Sequence, residues 1–121
     1  MLHNIYFSGK GTTKFCGEWI GDHLRMETKI YDWFAQPCTR LLKIPAADVL
    51  LFSMPVYGGF IPRLCAEMAE KLRGEGTPAI IVAVYGNRHY DYALLQMKEI
   101  TGNVLCRAIW LKRVIYVSEG K

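Results

Sequence analysis

Six consecutive residues, Ser8-Gly9-Lys10-Gly11-Thr12-Thr13, combine what a bound phosphate needs. The glycines let backbone amides turn inward and the hydroxyls add donors. The segment runs straight into a helical pattern, whose start presents unpaired N–H groups and a partial positive charge. A triphosphatase loop is excluded, because that motif has Ser or Thr after its Lys and a Gly five positions before it. Gly11 and Ile5 stand there, with Asn4 where the Gly of the full spacing would fall. The dinucleotide fingerprint is excluded as well, since its third glycine would fall on Lys14. Two further glycine-bearing loops, Pro55-Val56-Tyr57-Gly58-Gly59 and Gly86-Asn87-Arg88, carry Tyr57 in one case and lie beside Tyr85, Tyr90 and Tyr92 in the other. Flexible amides next to aromatic faces suit a planar ring, although for any single tyrosine packing at a strand end is an equal reading.

The elements that must position these loops follow from apolar spacing. Asn4 to Ser8 is a short strand; a helix comes next, with Phe15, Cys16, Trp19, Ile20 and Leu24 expected on one face. Thr28 to Trp33 is a weaker strand, and Pro37 to Pro45 carries turn residues without a long helix. Val49 to Met54 is apolar on both alternating faces, as in a strand covered above and below. Pro62 suits a first helical position, with Leu64, Cys65, Met68, Ala69 and Leu72 at helical spacing until Gly74 and Gly76. Ala79 to Tyr85 is the most strand-like segment; a helix from Asp91 to Ile100, capped by Gly102, and an apolar stretch from Val104 to Val117 complete the chain. Strands alternating with helices imply a mainly parallel sheet with helices on both faces. The carboxyl ends of such strands share one edge, so the glycine loops converge on one crevice.

Length and composition narrow the function classes. At 121 residues, 51% of them hydrophobic, the chain has the size of a single domain, 1–121. No apolar run is long enough to cross a bilayer, and residues Met1 to Tyr6 lack the pattern of a secretion signal, so a cytoplasmic protein without a membrane role is expected. The net charge of +4 is spread along the chain and nowhere interleaved with stacking aromatics, which gives no footing for a nucleic-acid role. Cys16, Cys38, Cys65 and Cys106 include no Cys-x-x-Cys pair; free, mostly buried thiols and no metal site are expected. His3, His23 and His89 accompany no nucleophile elbow, so no catalytic residues are assigned.

Tyr6-Phe7-Ser8-Gly9-x-Gly11-x-Thr13 resembles the phosphate loop of flavodoxins, above all the flavodoxin domain of clostridial and bacteroidal ferroproteins that fuse it to a ferredoxin. Pro55-Val56-Tyr57-Gly58-Gly59-x-x-Pro62 and Val84-Tyr85-Gly86-Asn87-Arg88-x-Tyr90-Asp91 are similar to the two ring loops of that group. The resemblance, running from Ile5 to Ile100, implies a flavodoxin-like α/β fold, an open parallel sheet in the order 2-1-3-4-5 with helices on both faces; in a departure from the family, the final helix is expected to be missing. It implies flavin mononucleotide (FMN) as cofactor, with Ser8, Gly9, Lys10, Gly11, Thr12 and Thr13 around the phosphate. Pro55, Val56, Tyr57, Gly58 and Gly59 would line one side of the ring, and Gly86, Asn87, Arg88 and Tyr90 the other. The activity implied is electron transfer by the flavin, with a ferredoxin or a reductase as redox partner. A flavodoxin-fold scaffold that has lost FMN, or a small NAD(P)H-dependent FMN reductase, is the alternative.

The sequence departs from that family in ways that carry expectations. Lys10 stands where Thr is usual and Thr12 where Asn is usual, adding a cation near the phosphate; Tyr92 replaces a common acidic residue. The chain is basic where typical flavodoxins are acidic, so a less negative potential for the fully reduced flavin is expected. With no residues for a fifth helix, one sheet face should keep only the first helix over it and leave apolar area exposed, which suggests a homodimer.

Overall fold

The computed structural model describes residues 1–9, 11–85 and 91–115, with the backbone alone at Asp91 and at 109–115. In chain order the elements are β1 (Leu2–Tyr6), α1 (Thr12–Leu24), β2 (Thr28–Asp32), β3 (Leu42–Lys43), β4 (Val49–Pro55), α2 (Arg63–Ala69), β5 (Leu72–Arg73), β6 (Thr77–Tyr85), α3 (Asp91–Asn103) and β7 (Cys106–Ile115). Five strands form one parallel sheet in the order β2-β1-β4-β6-β7, the arrangement expected, while β3 and β5 pair separately as a two-stranded ribbon that the sequence did not announce.

The period of two in the strands sorts the core into two layers. Leu50, Phe52 and Met54 of β4 and Ala79, Ile81, Ala83 and Tyr85 of β6 join Ile5 and Trp33 beneath α2 and α3. Leu2, Leu51, Ile80, Val82 and Val84 meet Cys16 and Ile20 of α1 on the opposite face. The apolar area expected to stand bare on that side does not appear on β6, where Ile80, Val82 and Val84 are 6%, 0% and 5% exposed.

Several boundaries move. β1 starts and ends two residues early, leaving Phe7 and Ser8 to the loop. Helix α2 stops at Ala69, so Leu72 is buried as part of β5 and Leu64 faces outward. The α1 face is also corrected: Phe15 and Trp19 are exposed, and the buried residues are Thr13, Cys16, Gly17, Ile20 and Gly21. The glycines cause this rotation. A Cβ on Gly21 would lie 2.9 Å from Asn4 Nδ2 and one on Gly17 3.3 Å from the Tyr6 ring, so the helix settles on the sheet along its glycine side. The Asn4 amide, buried in β1, holds it there by donating to the Gly17 carbonyl at 3.2 Å.

At the amino end of the strands, His3 is almost fully buried between two partners. A carboxylate can only accept, so His3 Nε2–H donates to Asp48 Oδ2 at 2.8 Å, while Nδ1 meets the Tyr31 hydroxyl at 2.9 Å. Asp48 also takes the N-terminal ammonium at 3.3 Å. The His3 hydrogen bond, seconded by that ammonium, holds the Asp48 carboxyl below the usual carboxylate range. A carboxyl depressed in the folded state stabilises it above the unfolded pKa and loses that contribution as pH falls through the folded one. Asp48→Asn should therefore lower stability at neutral pH and flatten its fall in acid, read from urea midpoints between neutrality and about pH 3. Equal losses at both ends of that range would remove the ionic role.

None of the helices among the described residues is long and apolar enough to cross a membrane.

Candidate functional site

β1 delivers the chain to the carboxyl edge of the sheet at Tyr6, and α1 begins again at Thr12. Gly11 caps that helix with φ 94° and ψ −11°, a left-handed conformation open to glycine at little cost. Among the described residues no side chain caps the helix start, and its first turn holds no acidic residue, so the first amide donors of α1 meet a field favourable to an anion. The loop is braced from within: Gly11 N–H donates to Ser8 Oγ at 2.9 Å, and Phe15 N–H to the Gly11 carbonyl at 2.9 Å. Thr13 is buried, Thr12 half-buried, and among the described residues nothing beyond the chain neighbours lies within 4 Å of where a Gly11 side chain would start.

Phe34 is a neighbour that sequence reasoning missed. Its ring lies 3.4 Å from where a Gly9 Cβ would stand, and it meets Phe7 edge-on at 5.4 Å between centroids. Asp32 at the end of β2 places it there, Oδ1 accepting the N–H groups of Phe34 and Ala35, both at 3.1 Å. The Asp side chain followed by a three-residue turn was the available signal.

The second loop leaves the neighbouring strand of the same edge. Pro55 ends β4 opposite Val84, and Val56, packed in the core, donates its N–H to the Val84 carbonyl at 2.9 Å. Tyr57 and Phe60 then exchange backbone hydrogen bonds at 2.8 and 3.3 Å around Gly58 (φ 63°) and Gly59 (φ 92°), a tight turn of the primed kind. Tyr57 is 67% exposed at its tip. Phe60 stacks on Tyr92 of α3 at 5.8 Å and 19°, and Ile61 N–H donates to Gln96 Oε1 at 3.0 Å, so α3 steadies the turn.

Thus the structure brings Ser8, Gly9, Gly11, Thr12 and Thr13 together at the α1 start and Pro55, Val56, Tyr57, Gly58 and Gly59 at the adjacent strand end. Lys10, Gly86, Asn87, Arg88 and Tyr90 lie outside the described residues. Tyr85 belongs to the core instead of the crevice, being 3% exposed on the same face as Ile81 and Ala83. Tyr6 keeps its proton at neutral pH: burial, and then Glu18, whose Oε2 accepts from its hydroxyl at 3.2 Å, push it up to about 12. Burial likewise pushes the Cys65 thiol up to about 12 and raises Cys16 and Cys106, leaving these free cysteines protonated and inert. What the arrangement offers is an anion cradle beside a glycine turn with aromatic neighbours.

Neither a protein-family model nor a curated protein matches the chain. Solved structures do. A flavodoxin of Streptococcus pneumonia TIGR4 superposes with a TM-score of 0.70 at 18% identity, covering 99% of this chain and 88% of that one. Flavodoxin 1 of Bacillus cereus, in its oxidised form, gives 0.69 at 18% identity over 98% and 86%. A flavoprotein of Lactobacillus acidophilus NCFM, solved in complex with FMN, gives 0.65 at 14% identity over 93% and 91%. The strand order and these likenesses agree on the flavodoxin-like fold.

Proposed function

We propose that this flavodoxin-like domain binds FMN and serves as an electron carrier. The observation that carries the reading is the start of α1: an uncapped, acid-free helix tip entered through a left-handed Gly11, at the strand edge where this fold presents its loops. A phosphomonoester carrying nearly two negative charges is the anion such a tip suits best. The other features fit the same group, since the Gly58-Gly59 turn leaves open space above Gly58 and sets exposed Tyr57 beside it. The flavoprotein of Lactobacillus acidophilus with the same fold was solved in complex with FMN.

In this reading Ser8, Gly9, Lys10, Gly11, Thr12 and Thr13 hold the phosphate, Pro55 to Gly59 flank the ring on one side, and Gly86, Asn87, Arg88 and Tyr90 flank it on the other. When bound, the flavin supplies one- or two-electron redox chemistry. The chain itself supplies binding, orientation and shielding. Ser8 keeps the loop closed on its own Gly11 amide, Phe34 covers Gly9, and the Phe60–Tyr92 stack fixes the turn beside the ring. The buried thiols of Cys16, Cys65 and Cys106 and the Tyr6 hydroxyl stay protonated, so none of these competes as a nucleophile. A cytoplasmic ferredoxin or reductase is the partner proposed.

Titrating FMN with purified protein and following flavin fluorescence tests the reading: stoichiometric quenching with a shifted absorbance band is expected. Fluorescence unchanged at micromolar protein would return the chain to a scaffold without a flavin.

A further inference from the structure

Two polar side chains are buried where the sheet meets α1. Asn4 of β1 is 1% exposed, and Ser53, the single polar residue of β4, is 0% exposed. Strand register sets both on the α1 face: Asn4 lies opposite Leu51, and Ser53 stands between Tyr6 of β1 and Val82 of β6. Their oxygens, Asn4 Oδ1 and Ser53 Oγ, have no hydrogen-bond partner among the described residues, and neither bonds to the other. Buried polar atoms are as a rule paired with protein or with ordered water, because a bare one forfeits the bond it made to solvent.

Both oxygens border one hollow. Where a Cβ of Gly17 would stand, Ser53 Oγ lies at 3.4 Å and Asn4 Oδ1 at 3.5 Å, with the Tyr6 ring at 3.3 Å on a third side. The hollow exists because residue 17 has no side chain. Turning the Asn4 amide gives no relief: Nδ2 already donates to the Gly17 carbonyl at 3.2 Å, and a flip would set Oδ1 against that carbonyl, acceptor against acceptor. Oδ1 therefore needs a donor from outside this pair of elements, and the Ser53 hydroxyl needs a partner of its own.

We propose that the hollow at Gly17 is a binding site for one internal water molecule, which donates to Asn4 Oδ1 and takes the Ser53 hydroxyl as its other partner. Water is the occupant whose chemistry fits. Oδ1 only accepts, Oγ both donates and accepts, and a water serves the two at once. Two neutral oxygens beside an aromatic ring are too few to hold a calcium or magnesium ion, and an apolar filling leaves both oxygens bare. The bridge joins three elements. Ser53 stands two residues before Pro55, where the Gly58 turn departs, and Asn4 already grips α1 through the Gly17 carbonyl. The water thereby ties the strand that carries the turn to the helix that begins at the cradle, and it does so with or without a flavin in the crevice.

A high-resolution crystal structure of the unmodified chain tests this. The expected result is a peak of solvent density at about 2.7–3.2 Å from both Asn4 Oδ1 and Ser53 Oγ. An empty hollow, or a Ser53 hydroxyl that donates directly to Oδ1, overturns the proposal. In solution, magnetic relaxation dispersion of the water oxygen counts the molecules held inside a protein. Gly17→Ala should hold one fewer than the wild type with far-ultraviolet circular dichroism unchanged, since alanine favours the helix and its methyl group enters the hollow. An equal count in the folded variant overturns the proposal as well. If Gly17→Ala does not fold, the crystal structure of the wild type decides alone.

Discussion

Gly11→Val is expected to weaken FMN binding about a hundredfold or more while costing the fold only about 1–2 kcal/mol. The asymmetry follows from where Gly11 stands. At φ 94° a β-branched residue is strained by its own backbone, yet among the described residues no atom beyond the chain neighbours lies within 4 Å of the added Cβ. The substitution therefore does not disturb packing. Relief comes by rotating the peptides on either side, and those peptides aim the amides at the α1 tip. Charge-assisted hydrogen bonds are worth about 1.5–3 kcal/mol each, and displacing a pair of them removes two orders of magnitude or more in affinity. Fluorescence titrations with FMN and with riboflavin, which lacks the phosphate, separate the causes. FMN affinity should collapse toward that of riboflavin, while riboflavin affinity barely changes. If both flavins weakened equally, the phosphate would have to sit elsewhere.

How much of this site could be read in the sequence depends on how local its determinants are. Gly11, Gly58 and Gly59 announce themselves because a positive φ is a property of a residue and its immediate neighbours, and all of them adopt one. The run Val49 to Met54 is equally legible, since a strand covered above and below is apolar on both of its faces, here with Ser53 the single polar residue. The face of α1 was misread because periodicity weighs side chains, and a helix that packs through Gly17 and Gly21 hides its contact line where side chains are missing. For Tyr85 packing and ring contact stood as equal readings, and its parity with Ile81 and Ala83 decides for packing. The β3–β5 ribbon is two residues long in each strand, too short for any period to show. Phe34 over Gly9 and Phe60 on Tyr92 are contacts between separate elements, visible once the sheet order sets β2 beside β1 and α3 beside the Gly58 turn.

Phe52→Ala carries the other large expected effect, a loss of about 3–5 kcal/mol in stability. Phe52 is the middle residue of β4, with 0% of its surface exposed, and stands in register between Ile5 of β1 and Ile81 of β6. The Trp33 ring meets it edge-on at 6.1 Å, so truncation removes an aromatic pair along with the buried area. Strands on both sides hold the backbone at fixed spacing, and the void cannot collapse. Against a total of about 5–15 kcal/mol, the variant should fold near 10 °C and melt roughly 10–20 °C earlier than the wild type. Phe52→Leu, leaving a smaller void, should lie between the two. Because the ring sits beneath α2 and α3, on the face of the sheet opposite α1, the folded fraction of Phe52→Ala should bind FMN with unchanged affinity. A loss of affinity matching the loss of stability would mean that the cradle at the α1 tip depends on packing from the far side of the sheet, and that its geometry is not set by Gly11 and the glycine contacts of α1 alone.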